Sequence, residues 1–216
     1  MKKIPTLAVL ESALQQDLGW RRKELSSLYL SVISAPPQSE TQHRAIRSGI
    51  VLTYAHLEGF TRHAARCYFE YVRGRNLTYS DLALSFLALK VSRIASQGTT
   101  KASYYGDAVD LLTSKIGETA ILPEPEVITA NSNLSFAQFN EILYCINIDP
   151  QQFSSKENFF DLVLLERRNA IAHGEFRRPT PDDYFEIHTG VIEILDQLNE
   201  RLTDAAICGD FRRPPP

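Results

Sequence analysis

The feature that most limits the fold is a pair of long helical stripes meeting at a Pro-Pro break. Leu7, Leu10, Leu14, Leu18, Leu25, Leu28 and Val32 recur every three or four residues, with one turn skipped at Arg21 and Arg22. That spacing places them on one face of a helix from about Thr6 to Ser34. Pro36-Pro37 ends it, because proline lacks an N–H and drives the preceding residue out of the helical region. Ser39 opens a second helix, with Gln42 completing a capping-box pattern. Ile46, Ile50, Tyr54, Leu57, Ala64, Tyr68 and Tyr71 carry its stripe to about Arg73, where Gly74 follows as a C-cap. Two such helices around so short a turn predict an antiparallel hairpin.

The rest of the chain reads as helix too. Ser80 to Gln97 is apolar nearly all round, which predicts a buried helix, and Tyr105 to Ile116 predicts a shorter one. Gly117 to Asn133, with Pro123 and Pro125, reads as loop. Ser135 with Gln138, and Ser154 with Glu157, repeat the helix-start pattern. The second of these starts a helix through FFDLVLLERRNAIAH that stops at Gly174. Thr180-Pro181-Asp182-Asp183 is a further start, with a capping residue, a proline at the first position and acids in the first turn. Tyr184, Ile187, Val191, Ile194, Leu195, Leu198 and Leu202 then form the stripe of the last helix. No segment alternates apolar and polar residues between turn signals, so the chain is all-α. It is expected to form one helical-bundle domain over residues 1–207, with inserted helices at 75–150 and a disordered tail at 208–216.

Net charge is -3, so any nucleic-acid contact has to come from a local patch. The 3 cysteines, Cys67, Cys145 and Cys208, form no CxxC pair, which fits a reduced, cytoplasmic compartment. No apolar run approaches the roughly 18 residues a membrane span needs. Glu11 and Gln15 interrupt the N-terminal apolar stretch before a secretory signal could form.

The most informative stretch is Leu164 to Glu175, LLERRNAIAHGE. Asn169 and His173 are four apart and share a helix face, while Arg168 sits on the adjacent turn with a side chain long enough to reach it. His173 lies at the helix C-terminus, where the dipole favours the protonated imidazole. Histidine moves a proton near neutral pH, and arginine holds a phosphate and offsets charge developing in the transition state. If the 2′-hydroxyl of RNA is the nucleophile, neither metal nor cofactor is needed. An Arg and a His at this spacing are a weak signal alone, and a capped helix end with solvated arginines is the alternative.

The chain resembles the HEPN superfamily (higher eukaryotes and prokaryotes nucleotide-binding). The resemblance lies in RNAIAH followed by Gly174, in the last helix DDYFEIHTGVIEILDQLNERL, and in VLTYAHLEGFTRHAARCYFEYV. It is clearest over Ile46–Val72 and Glu157–Ala206, and closest to a bacterial, defence-associated branch. It implies a helical bundle that dimerises and sets two R-x4–6-H motifs across a shared cleft. It also implies metal-independent endoribonuclease activity of toxin or phage-defence type, with an antitoxin or regulatory protein as a further partner. Arg168 and His173 match the motif, and Asn169 matches the polar residue after its arginine. The family also contains inactive binding modules, so a non-catalytic module for nucleotide, RNA or protein stands as the alternative.

Arg167, Arg177 and Arg178 join Arg168 within twelve residues and are candidate contacts for an RNA backbone, against the alternative of ordinary solvation. Glu58 is a candidate to orient His173 or an arginine, against a simple pairing with Arg62. His56, His63 and Cys67 share a helical face, but no further ligand accompanies them and no metal site is expected. Lys101 with Tyr104 and Tyr105 could stack on bases, against a role in core or interface.

Overall fold

The computed structural model describes residues 3–96, 102–128 and 133–214. Among these the fold is all-α. Three long helices form the body: α1 (Leu7–Ser34), α2 (Glu40–Arg73) and α7 (Pro181–Cys208), each packed against the other two. Their starts follow the capping rules. The Thr6 hydroxyl accepts from Val9 N–H at 3.3 Å, Ser39 accepts from Gln42 N–H at 3.1 Å, and Thr180 and Asp183 form a full capping box. Gln42 also accepts from Gln38 N–H at 2.9 Å and donates to the Val32 carbonyl at 3.4 Å, which ties the α1–α2 turn to the end of α1.

The stripes meet in one core. Leu10, Leu14, Leu18, Leu25 and Val32 of α1 are buried, as is every stripe residue named for α2 and α7. The turn skipped at Arg21 is not a gap. Arg21 is buried, donates from Nε to Asp17 at 2.7 Å and from Nη1 to the His56 carbonyl at 3.3 Å. A charge in the core is tolerable only when paired and hydrogen-bonded in this way. It needs Gly59 opposite, where a Cβ would stand 2.7 Å from Nη1.

The middle departs from the expected pattern. The apolar run from Ser80 becomes helical only at α3 (Leu84–Ser96), and α4 spans Ala102–Thr113. The N–H groups of Ser80 and Ala83 go instead to the carbonyls of Ile116 (2.7 Å) and Phe211 (2.9 Å), which leaves that segment as a turn. Nor is α3 buried all round: Phe86 and Leu87 are buried, while Leu84 lies open to water. Then α5 (Phe136–Cys145) begins at Ser135 as expected.

The helix expected from Ser154 is in fact three structures in succession. A 3₁₀ segment covers Pro150–Lys156 with Asp149 as its cap, a π-helical segment covers Phe159–Leu165, and α6 covers only Glu166–Ala172. In the π segment the Glu166 N–H donates five residues back, to Asp161. Phe159 in this segment fills the place of a side chain at Gly190 of α7, where a Cβ would stand 2.4 Å from its ring.

The tail also differs from the expectation of disorder, as far as Pro214. Phe211 is buried, its carbonyl accepts from Ala83, and the Arg213 N–H donates to the Asp81 carbonyl at 2.8 Å. One buried ring and paired backbone groups hold a segment whose composition reads as solvated.

Candidate functional site

The π segment sets the rotation at which α6 leaves the core, and so decides which way consecutive side chains point. Ala170 faces inward and is buried. Arg168 and Asn169 lie toward α2 and the loop before α5. The Arg168 guanidinium carbon stands 4.7 Å from the centre of the Tyr54 ring. Its Nη1 donates to Asn169 Oδ1 at 2.8 Å and to Asn133 Oδ1 at 3.1 Å, and Asn133 Nδ2 donates to Asn169 Oδ1 at 3.3 Å. Two amides and an aromatic face thus hold the guanidinium in a fixed plane. Among the described residues no carboxylate pairs with it.

Tyr54 is a platform rather than a proton carrier. Burial first, and the Glu58 charge second, push its hydroxyl up to about 12, so it stays neutral. That hydroxyl accepts from the Leu134 N–H and so fixes the loop that delivers Asn133. Among the described residues Glu58 makes no ion pair with Arg168 or His173; it pairs with Arg62 at 2.6 Å and bonds the Tyr54 hydroxyl, whose ring lies against Arg168.

His173 caps the C-terminus of α6. Glu175 N–H donates to the Ala170 carbonyl at 2.9 Å and Gly174 N–H to the Ile171 carbonyl at 3.1 Å, the Schellman pairing. Gly174 has φ +78°, a left-handed conformation that glycine adopts without a steric penalty. The imidazole is exposed, and among the described residues no side chain bonds to it.

The other arginines occupy a different face. Arg167 turns toward α7, pairing with Asp183 at 2.8 Å and Glu186 at 3.5 Å. It lines a cavity of about 210 Å³ with Ile171, Arg177, Arg178 and Pro179. Arg168, Asn169 and His173 do not line that cavity. Arg177 meets Glu175 at 3.3 Å and Arg178 meets Glu40 at 3.4 Å, both exposed pairs. The cluster seen in sequence therefore divides into an Arg168–Asn169 face, an Arg167–Arg177–Arg178 face, and His173 at the end of the helix between them.

Sequence reasoning missed Tyr54 and Asn133, and also Arg47, whose Nη1 donates to the carbonyls of Glu175 (3.0 Å) and Arg177 (2.9 Å). Tyr54 was visible only as a stripe residue, and no local signal marks the other two. His56, His63 and Cys67 do not converge: His56 sits by Glu24 at 3.4 Å and against Trp20, while His63 meets Cys67 at 3.4 Å. Lys101 and the Tyr104 side chain lie outside the described residues, and Tyr105 is exposed on α4. No helix among the described residues is long and apolar enough to cross a membrane.

No curated protein and no solved structure matches the chain. A family profile does match, over residues 16–204, from within α1 almost to the end of α7 and through the whole site. The chain belongs to the RiboL-PSP-HEPN family.

Proposed function

We propose that this protein is a metal-independent endoribonuclease of toxin or phage-defence type, acting as a homodimer in which two copies of the Arg168–His173 pair face one RNA phosphate. The observation that carries this reading is the contrast within RNAIAH. It couples a guanidinium that, among the described residues, is held in place without an acidic partner to an exposed imidazole at the helix end that no described side chain bonds. As the 2′-hydroxyl oxygen attacks the adjacent phosphorus, His173 of one copy takes its proton. The bond from phosphorus to the 5′-oxygen breaks, and the same histidine in the second copy protonates that leaving oxygen. Arg168 holds the non-bridging oxygens and offsets their growing charge. Asn169 and Asn133 keep Arg168 in position, while Arg177 and Arg178 line the approach of the RNA backbone. An antitoxin or other regulatory protein fits this reading as a partner.

The test is incubation of purified protein with total tRNA and mixed-sequence RNA in EDTA, beside His173→Ala. Cleavage to 2′,3′-cyclic phosphate and 5′-hydroxyl ends, lost in the variant, is the expected outcome. Equal cleavage by the variant would remove His173 from the reaction. The second reading is a non-catalytic module for RNA, nucleotide or a protein partner. It is favoured by the arginine-lined cavity, which stands apart from His173. Binding without cleavage, surviving His173→Ala, would establish it.

A further inference from the structure

Phe176 is 82% exposed, more than any other large apolar side chain among the described residues. It is also three residues from His173. An apolar ring fully in water is ordinary on a loose loop, but this loop is fixed. The Schellman pairing anchors its start. Arg47 donates to the carbonyls of Glu175 and Arg177, the two residues that bracket the phenylalanine. The Arg177 N–H closes on the Glu175 carbonyl at 2.9 Å, making a three-residue turn with Phe176 at its apex. The Arg178 guanidinium carbon lies 5.1 Å from the centre of the ring. Backbone and flanking charge are therefore organised before any ligand arrives, which lowers the ordering cost of binding.

We propose that Phe176 is a stacking platform for an unpaired nucleobase next to the phosphate held at the Arg168–His173 site. This rests on the reading that RNA is the ligand, and it names the kind: single-stranded, because only an unstacked base offers its face to a protein ring. The flanking charges favour RNA over an apolar protein pocket. Burying the ring in such a pocket would also desolvate Arg177 and Arg178, whose exposed carboxylate partners give weak pairs that RNA phosphates can replace.

The experiment measures binding of a non-cleavable 2′-O-methyl oligonucleotide, single-stranded and as a duplex, to wild type and to Phe176→Ala, Phe176→Leu and Phe176→Trp. Oligomeric state is followed by sedimentation, and cleavage of unmodified RNA is assayed in parallel. The alanine and leucine variants are expected to bind the single strand about ten-fold more weakly or worse, and the tryptophan variant to match wild type. All should stay folded, since the ring packs on nothing in the core. Leucine matching phenylalanine would overturn stacking. A shift from dimer to monomer in the alanine variant, with RNA affinity kept, would place the ring in a protein contact instead. Wild type that cleaves RNA while the alanine variant binds and cleaves equally well overturns the platform alone. Binding that depends on Phe176, with no cleavage by any form, leaves the platform and removes the nuclease. Wild type with no affinity for the oligonucleotide overturns both.

Discussion

Arg167 and Arg168 are neighbours in the chain and opposites in their surroundings. Arg167 meets two carboxylates of α7, so its charge is compensated within the protein. Arg168 meets an aromatic face and two amide oxygens, which hold it without neutralising it. A guanidinium held by neutral groups keeps its full charge for a phosphate, whereas one held by carboxylates must give up a partner to bind. On the proposed reading, the difference separates an arginine that braces α6 against α7 from one open to a phosphate.

The comparison is broken or kept most sharply by removing each arginine in turn. Arg168→Ala is expected to lower RNA cleavage about 100-fold or more, as loss of a donor to developing charge does. His173→Ala should cost a similar amount or more through the lost proton transfer. Arg167→Ala should stay within about five-fold of wild type and lower the unfolding free energy slightly, because partly exposed ion pairs contribute little. Single-turnover cleavage with urea unfolding measures both. An Arg167 variant as inactive as the Arg168 variant would end the distinction.

Next in size is Asn133. Removing its amide takes away one of two oxygens that fix Arg168, and a roughly ten-fold fall in cleavage is expected for about 1.4 kcal/mol. The same substitution should leave melting temperature unchanged, since Asn133 is exposed. An unaltered rate would mean that Asn169 alone holds the guanidinium.

That Asn133 had to be found in three dimensions marks where sequence stops being legible. The stripes of α1, α2 and α7 could be read because burial is one-sided and recurs with the helical period. The helix end at Gly174 could be read because a cap is local. Asn133 reaches Asn169 across 36 residues, and its loop is delivered by a hydrogen bond to Tyr54, 80 residues away. The π segment was invisible for another reason: its wide turn uses the same apolar residues as an α-helix, so the pattern does not announce it. Without that turn, the faces of Arg167 and Arg168 could not be assigned. The docked tail rests on backbone carbonyls and N–H groups, which every sequence supplies alike.

Gly174 bears on both faces, because it ends α6 and starts the loop that Arg47 secures. Gly174→Ala should cost about 1 kcal/mol of stability, since a Cβ is strained at this positive φ although nothing lies within 4 Å of it. The denaturation midpoint in urea measures it. A neutral result would show that the loop re-forms with another backbone and that its fixed geometry is dispensable.

The smallest effect separates the site from the body that carries it. His188 stands between Tyr29 and Tyr184, its ring centre 5.1 Å and 5.9 Å from theirs, and its Nε2 is buried with no partner among the described residues. Burial lowers its pKa below the ordinary histidine value near 6.5, against a smaller opposing effect of a hydrogen bond with the Leu25 backbone. His56 is lowered for the same first reason. The unfolded chain therefore takes up protons at a pH where the folded one does not. The stability these rings contribute is complete above about pH 6.5 and is lost as pH falls through that value toward the depressed folded one. His188→Phe keeps an aromatic ring between the tyrosines and removes the titration, so its melting temperature should fall less between pH 7.5 and pH 5 than that of wild type. Equal slopes would assign the acid sensitivity to His56 or to carboxylates. A smaller fall in the variant would place that sensitivity in the α1–α2–α7 body, and cleavage by different variants is then compared only at a pH where the body remains folded.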